Sequence, residues 1–147
     1  MLTIGEKMTV KIISDEDNTN CDYVVLQANN APCPPSKMDS VPIQKENNIF
    51  VFVPLKTSSV VCQVDYEQRK CLENCYYNCI IFAFKTGKSS IQFPELGVNF
   101  LYWDSIQSAS AARVAIERSF EEVCDDFLIV FEIDKSHIDI WDEVMIF

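Results

Sequence analysis

Apolar and polar residues change their rhythm several times along this chain. Met8–Ile13 (Met-Thr-Val-Lys-Ile-Ile) reads as a strand, followed by the polar turn Ser14-Asp-Glu-Asp-Asn-Thr-Asn20. Tyr23–Leu26 is a short apolar run, which predicts a strand buried on both faces. Ala31–Asn48 contains Pro32, Pro34, Pro35 and Pro42, which argues against regular structure there. Ile49–Val53 is a strand candidate ended by Pro54, and Val64–Phe84 has apolar positions near helical spacing, closed by Thr86-Gly-Lys88. Ser89–Phe93 reads as a strand. Asp104 or Ser105 then caps a helix through about Val123, with Ile106, Ala109, Ala112, Ile116, Phe120 and Val123 on its apolar face. Phe127–Phe131 is the last clear strand, and Asp134 or Ser136 could cap a closing helix before Met145.

This alternation predicts an α/β fold, a mixed β-sheet flanked by helices in a three-layer-type arrangement, forming a single domain over residues 1–147. In such sheets, ligands bind where loops leave the carboxyl ends of strands. Two segments run from strand into loop in that way: Tyr23-Val-Val-Leu-Gln-Ala-Asn-Asn30 and Ser89-Ser-Ile-Gln-Phe-Pro-Glu-Leu-Gly97.

The composition narrows the function classes. Hydrophobic residues make up 48% of the chain, enough for a folded core. A net charge of −10 argues against general nucleic-acid binding and against docking on an anionic membrane. It does not exclude one anionic ligand held by backbone amides. Phosphate-cradling loops use glycine for close backbone approach, and this chain has three glycines in all. The amino terminus lacks a signal-peptide pattern and no apolar run reaches the length of a membrane span, so an intracellular location is expected. The seven cysteines are then expected to be mostly reduced and buried. Cys71, Cys75 and Cys79 fall on one helical stripe, which suits packing against a sheet better than surrounding a metal ion. No metal or cofactor is expected. His137 is the single histidine, and nothing in the sequence pairs it with Cys124 or a serine.

The loops resemble those of the macro domain family in order and spacing. The family's Gly-Asp-Ile-Thr turn corresponds to Ser14-Asp15-Glu16-Asp17, and its Asp-Ala-Ile-Val-Asn-Ala-Ala-Asn strand to Asp22 through Asn30. Its Ser-Ile-Ala-Phe-Pro-Ala-Ile-Gly-Thr-Gly segment is similar to Ser90-Ile-Gln-Phe-Pro-Glu-Leu-Gly-Val-Asn99. Asn30 is followed by Ala-Pro-Cys-Pro-Pro where the family has a glycine run, and Asn99 stands where the family has its second glycine. The chain therefore looks like a reduced, divergent member lacking the glycine-rich phosphate loop. The resemblance implies binding of ADP-ribose, of a related nucleotide or of an ADP-ribosylated protein. Asp15 would take the adenine amino group, Asn30 the distal ribose, and Gly97, Val98, Asn99 and Phe100 the diphosphate. Phe131 would stack on adenine. Some members hydrolyse ADP-ribosyl bonds, but the missing glycines argue against efficient catalysis, and no residue here is assigned a catalytic role. The competing expectation is a degenerate domain that binds a protein through an exposed aromatic patch at Phe100–Trp103.

Overall fold

A computed structural model describes residues 2–4, 8–17, 19–28, 42–54, 63–99, 101 and 103–146. The elements in chain order are β1 (Leu2–Ile4), β2 (Met8–Ser14), β3 (Tyr23–Ala28), β4 (Ile43–Lys45), β5 (Asn48–Phe52), α1 (Gln63–Lys85), β6 (Ser90–Phe93), α2 (Ser105–Ser119), β7 (Phe127–Ile133) and α3 (Ile138–Val144), the last preceded by a 3-10 turn at Lys135–His137. The strands form one mixed sheet in the order β1-β2-β7-β6-β3-β5-β4. The five central strands, β2 to β5 in that order, run parallel, and β1 and β4 close the two edges antiparallel. The expected α/β architecture is therefore present.

Residue parity decides which side chains of each strand meet the helices. Phe93, Phe127 and Phe131 project toward the helices, where Tyr76 and Phe84 of α1 and Trp141 of α3 meet them. Among the described residues, no helix packs on the opposite face. Tyr23 and Val25 of β3 are accordingly buried, whereas Leu26, one residue along, is 38% exposed. The expectation of burial on both faces of β3 fails because only one of its faces lies under α1.

α1 buries a stripe of Cys71, Leu72, Cys75, Tyr76, Cys79, Ile80 and Ala83. The cysteines serve there as small apolar residues, and Cys75 Sγ donates to the Phe52 carbonyl at 3.4 Å. Gly87, at φ +82°, ends the helix, with Gly87 N–H on the Phe84 carbonyl and Lys88 N–H on the Ala83 carbonyl. That is a Schellman closure, and it needs a left-handed residue at Gly87. α2 begins on a capping box: Asp104 accepts from Gln107 N–H at 2.7 Å, and Gln107 Oε1 accepts from Asp104 N–H at 3.2 Å. Its buried face is Ser108, Ala109, Ala112, Ala115, Ile116 and Ser119. Ile106 and Phe120, expected on that face, are 58% and 40% exposed. Small residues let α2 approach α1 closely, so the large apolar residues sit off the contact line. The Ser119 hydroxyl bonds the Ala115 carbonyl and helps end the helix before Val123.

β1 and β4 were not foreseen. β4 lies within the proline-bearing stretch, has all three residues exposed and joins β5 through a turn with Glu46 at φ +57°. An edge strand with no buried face leaves no alternation to read. At the amino ends of the central strands Asp22 accepts from Ser89 N–H at 2.9 Å and Ser89 Oγ at 3.0 Å, while its own N–H donates to Ser90 Oγ at 2.7 Å. This clamps the starts of β3 and β6. The Ser89 N–H, then its hydroxyl, holds the Asp22 carboxyl below its usual pKa. A depressed carboxylate contributes stability above its unfolded pKa near about 4, lost as pH falls through the lower folded value. Asp22→Asn is expected to make the urea midpoint fall less steeply between about pH 4 and pH 2 than in wild type. Parallel pH profiles would remove Asp22 from that role.

Candidate functional site

The parallel strands β2, β7, β6, β3 and β5 all point their carboxyl ends to one edge of the sheet. The chain leaves β3 toward β5 on one side and leaves β6 toward β7 on the other. Connections diverge between β3 and β6, which makes the space beyond their carboxyl ends the topological switch point. The loop Pro94–Asp104 forms one of its sides and the end of β3 the other.

The first residues of this loop, 95–97, are tightly held. Leu96 N–H donates to Tyr76 Oη at 2.9 Å, and the Leu96 carbonyl accepts from Ser108 Oγ at 2.7 Å. Burial pushes the Tyr76 hydroxyl well above its ordinary pKa, so it stays protonated. Gly97 has φ +85° and is buried; a Cβ there would lie 2.5 Å from Trp103 Cδ1. Trp103 in turn donates its N–H to the Gly97 carbonyl at 3.1 Å and its indole Nε1–H to the Pro54 carbonyl at 2.7 Å. Gly97 thus has a positive φ, but its N–H is not open to solvent. It donates to Gln27 Oε1 at 2.7 Å, while Gln27 Nε2 donates to the Asn99 carbonyl at 3.0 Å.

The remaining sequence candidates separate. Val98 is half-buried and Asn99 exposed. Asp15 is exposed on the turn after β2, whose form is set by Asp17: its N–H donates to the Ser14 carbonyl at 3.1 Å, and its carboxylate accepts from Ser14 N–H at 3.1 Å. Asp15 and the Gly97 loop share the carboxyl edge of the sheet, with β7 between their strands. Phe131 departs from expectation. Strand parity turns it under the helices, where Tyr76, Phe93 and Trp141 enclose its fully buried ring, so it belongs to the core and leaves no face for a base. Trp103 is also buried, which removes it from the expected aromatic patch. Asn30, Phe100 and Tyr102 lie outside the described residues.

Sequence reasoning missed Glu95. It is buried on the same loop and collects three donors: His137 Nδ1 at 2.7 Å, Trp141 Nε1 at 2.8 Å and the Ser105 hydroxyl. The lone histidine is therefore partnered by a carboxylate 42 residues away rather than by Cys124 or a serine. Such separations leave no local signal. Among the described residues, no group of three or more His, Cys, Asp or Glu side chains comes together as a metal site, and no helix is long and apolar enough to cross a membrane.

No protein-family model matches this sequence, and none of the curated proteins matches it. Solved structures do. A mutant of the Oceanobacillus iheyensis macrodomain superposes at TM-score 0.72 with 16% identity, covering 98% of this chain and 94% of that one. The macro domain of ganglioside induced differentiation associated protein 2 gives TM-score 0.72 and 15% identity over 95% of this chain and 82% of that one. The chain has the macrodomain fold. A second Oceanobacillus iheyensis mutant, solved with ADPR, matches at TM-score 0.70 and 14% identity over 98% of this chain and 95% of that one. In this macrodomain fold, the Gln27–Gly97–Asn99 bridge sits at the switch point, and the Glu95 cluster lies behind the same loop, joining it to the start of α2 and to α3.

Proposed function

We propose that this domain is a binding module for ADP-ribose or a related nucleotide, free or attached to a protein, and that it lacks efficient catalysis. The observation that carries the reading is the topological switch point outside β3 and β6, the place where open α/β sheets take their ligands. The fold supports it, since a macrodomain of the same architecture was solved with ADPR. In this reading the exposed Asp15 carboxylate accepts from the adenine amino group. Val98 and Asn99, with Gly97 and Phe100, border the diphosphate, and Asn30 meets the distal ribose. The turn after β2 and the end of β3 are three strand spacings apart, about 14 Å. An extended nucleotide spans that distance and a single base does not.

Isothermal calorimetry with ADP-ribose tests the proposal. Saturable heat is expected below millimolar ligand, and Asp15→Ala should weaken binding about fivefold, the effect of one lost hydrogen bond. Folded protein giving no heat at millimolar ADP-ribose would overturn the reading. Unchanged affinity in the Asp15 variant would remove that residue alone.

A further inference from the structure

The Gln27 bridge bears on which ligands the switch point accepts, and the inference rests on the nucleotide reading above. A backbone N–H at a left-handed glycine is a donor that an anion can use. In this fold Gly97 N–H is the donor that β3 faces across the switch point, and Gln27 Oε1 already takes it at 2.7 Å. Gln27 Nε2 meets the Asn99 carbonyl at 3.0 Å. Gly97 N–H can only donate and the Asn99 carbonyl can only accept, so the two bonds fix the amide orientation. Both bonds join residues some seventy positions apart, which makes Gln27 a direct tie between β3 and this loop.

We infer that Gln27 is an internal occupant of the anion position, a specificity-determining residue that sets the site against diphosphate groups and in favour of the nucleoside end of a ligand. A phosphate oxygen needing Gly97 N–H must expel Gln27 Oε1. That also breaks the bond to the Asn99 carbonyl and leaves the amide to find new partners. A neutral nucleoside expels nothing. Losing those two bonds corresponds to a discrimination on the order of tenfold. The net charge of −10 acts in the same direction.

The test uses the full chain, wild type and Gln27→Ala, with adenosine and ADP-ribose in calorimetry. It adds sodium pyrophosphate in an NMR titration that follows the Gly97 amide. In wild type, adenosine and ADP-ribose should bind within about threefold of each other. In Gln27→Ala, adenosine affinity should hold while ADP-ribose binds about tenfold tighter. Pyrophosphate should shift the Gly97 amide in the variant and not in wild type. A wild-type Gly97 amide that moves with pyrophosphate, a variant amide that does not, or a variant with weaker ADP-ribose binding each overturns the inference. If neither nucleotide binds wild type, the nucleotide reading falls, and the pyrophosphate titration still decides the role of Gln27. Gln27→Ser takes the place of the alanine variant if that one does not fold.

Discussion

Gly97→Ala is expected to destabilise the domain by roughly 3 kcal/mol and to lower its melting temperature by about 9 °C. Two costs combine. The backbone at Gly97 has φ +85°, a region that residues with a Cβ adopt at a penalty of about 1 kcal/mol or more. The new Cβ would also lie 2.5 Å from Trp103 Cδ1. Trp103 has little freedom to retreat, because it is buried and its indole N–H is bonded to the Pro54 carbonyl. Overpacking of that kind costs about 1–3 kcal/mol. Gly87 is the internal control. Its φ is +82°, yet nothing lies within 4 Å of where its Cβ would be. Gly87→Ala should therefore show the conformational cost alone, about 1 kcal/mol. Thermal melts by circular dichroism decide the matter. Equal losses in the two variants would mean that Trp103 moves aside, and the packing argument would fail.

Glu95→Ala is expected to cost a similar amount, about 3 kcal/mol. Its carboxylate receives His137 Nδ1, Trp141 Nε1 and the Ser105 hydroxyl, so one truncation strips three donors of their acceptor. Trp141 is fully buried and the Ser105 side chain lies at the start of α2, so neither readily finds water. Glu95→Gln separates the contributions. Its oxygen can still serve Trp141 and Ser105, while its NH2 meets His137, whose neutral ring can accept. The Gln variant should lose about 1 kcal/mol, consistent with a role in collecting hydrogen bonds more than in ion pairing. Urea unfolding followed by tryptophan fluorescence measures both. An Ala variant within about 0.5 kcal/mol of wild type would show that the cluster is not holding α3 to the loop.

The parts of the fold legible in the sequence share one property: their pattern is imposed by burial along a continuous stretch. Phe127–Phe131 is apolar at every position because it lies within the parallel core of the sheet, and the stripe on α1 repeats because one helix face meets the strands. β4 escaped notice because its three residues are all exposed. Ile106 and Phe120 misled for the opposite reason. They have the right chemistry and near-helical spacing, but the close contact with α1 selects Ser108, Ala115 and Ser119 instead.

The candidate site divides along the same line. Local chemistry announced the loop beginning at Pro94 and the turn bearing Asp15, because each depends on neighbours within a few residues. The sequence by its own pattern also determined the α/β class, a capped start for α2 at Asp104 or Ser105 and the small number of glycines available to a phosphate. Only the tertiary structure turned Phe131 into the core, set Glu95 among His137, Trp141 and Ser105, and brought Gln27 onto Gly97. Those contacts join residues 10 to 70 positions apart. Strand order and register create them, and neither composition nor periodicity carries that information.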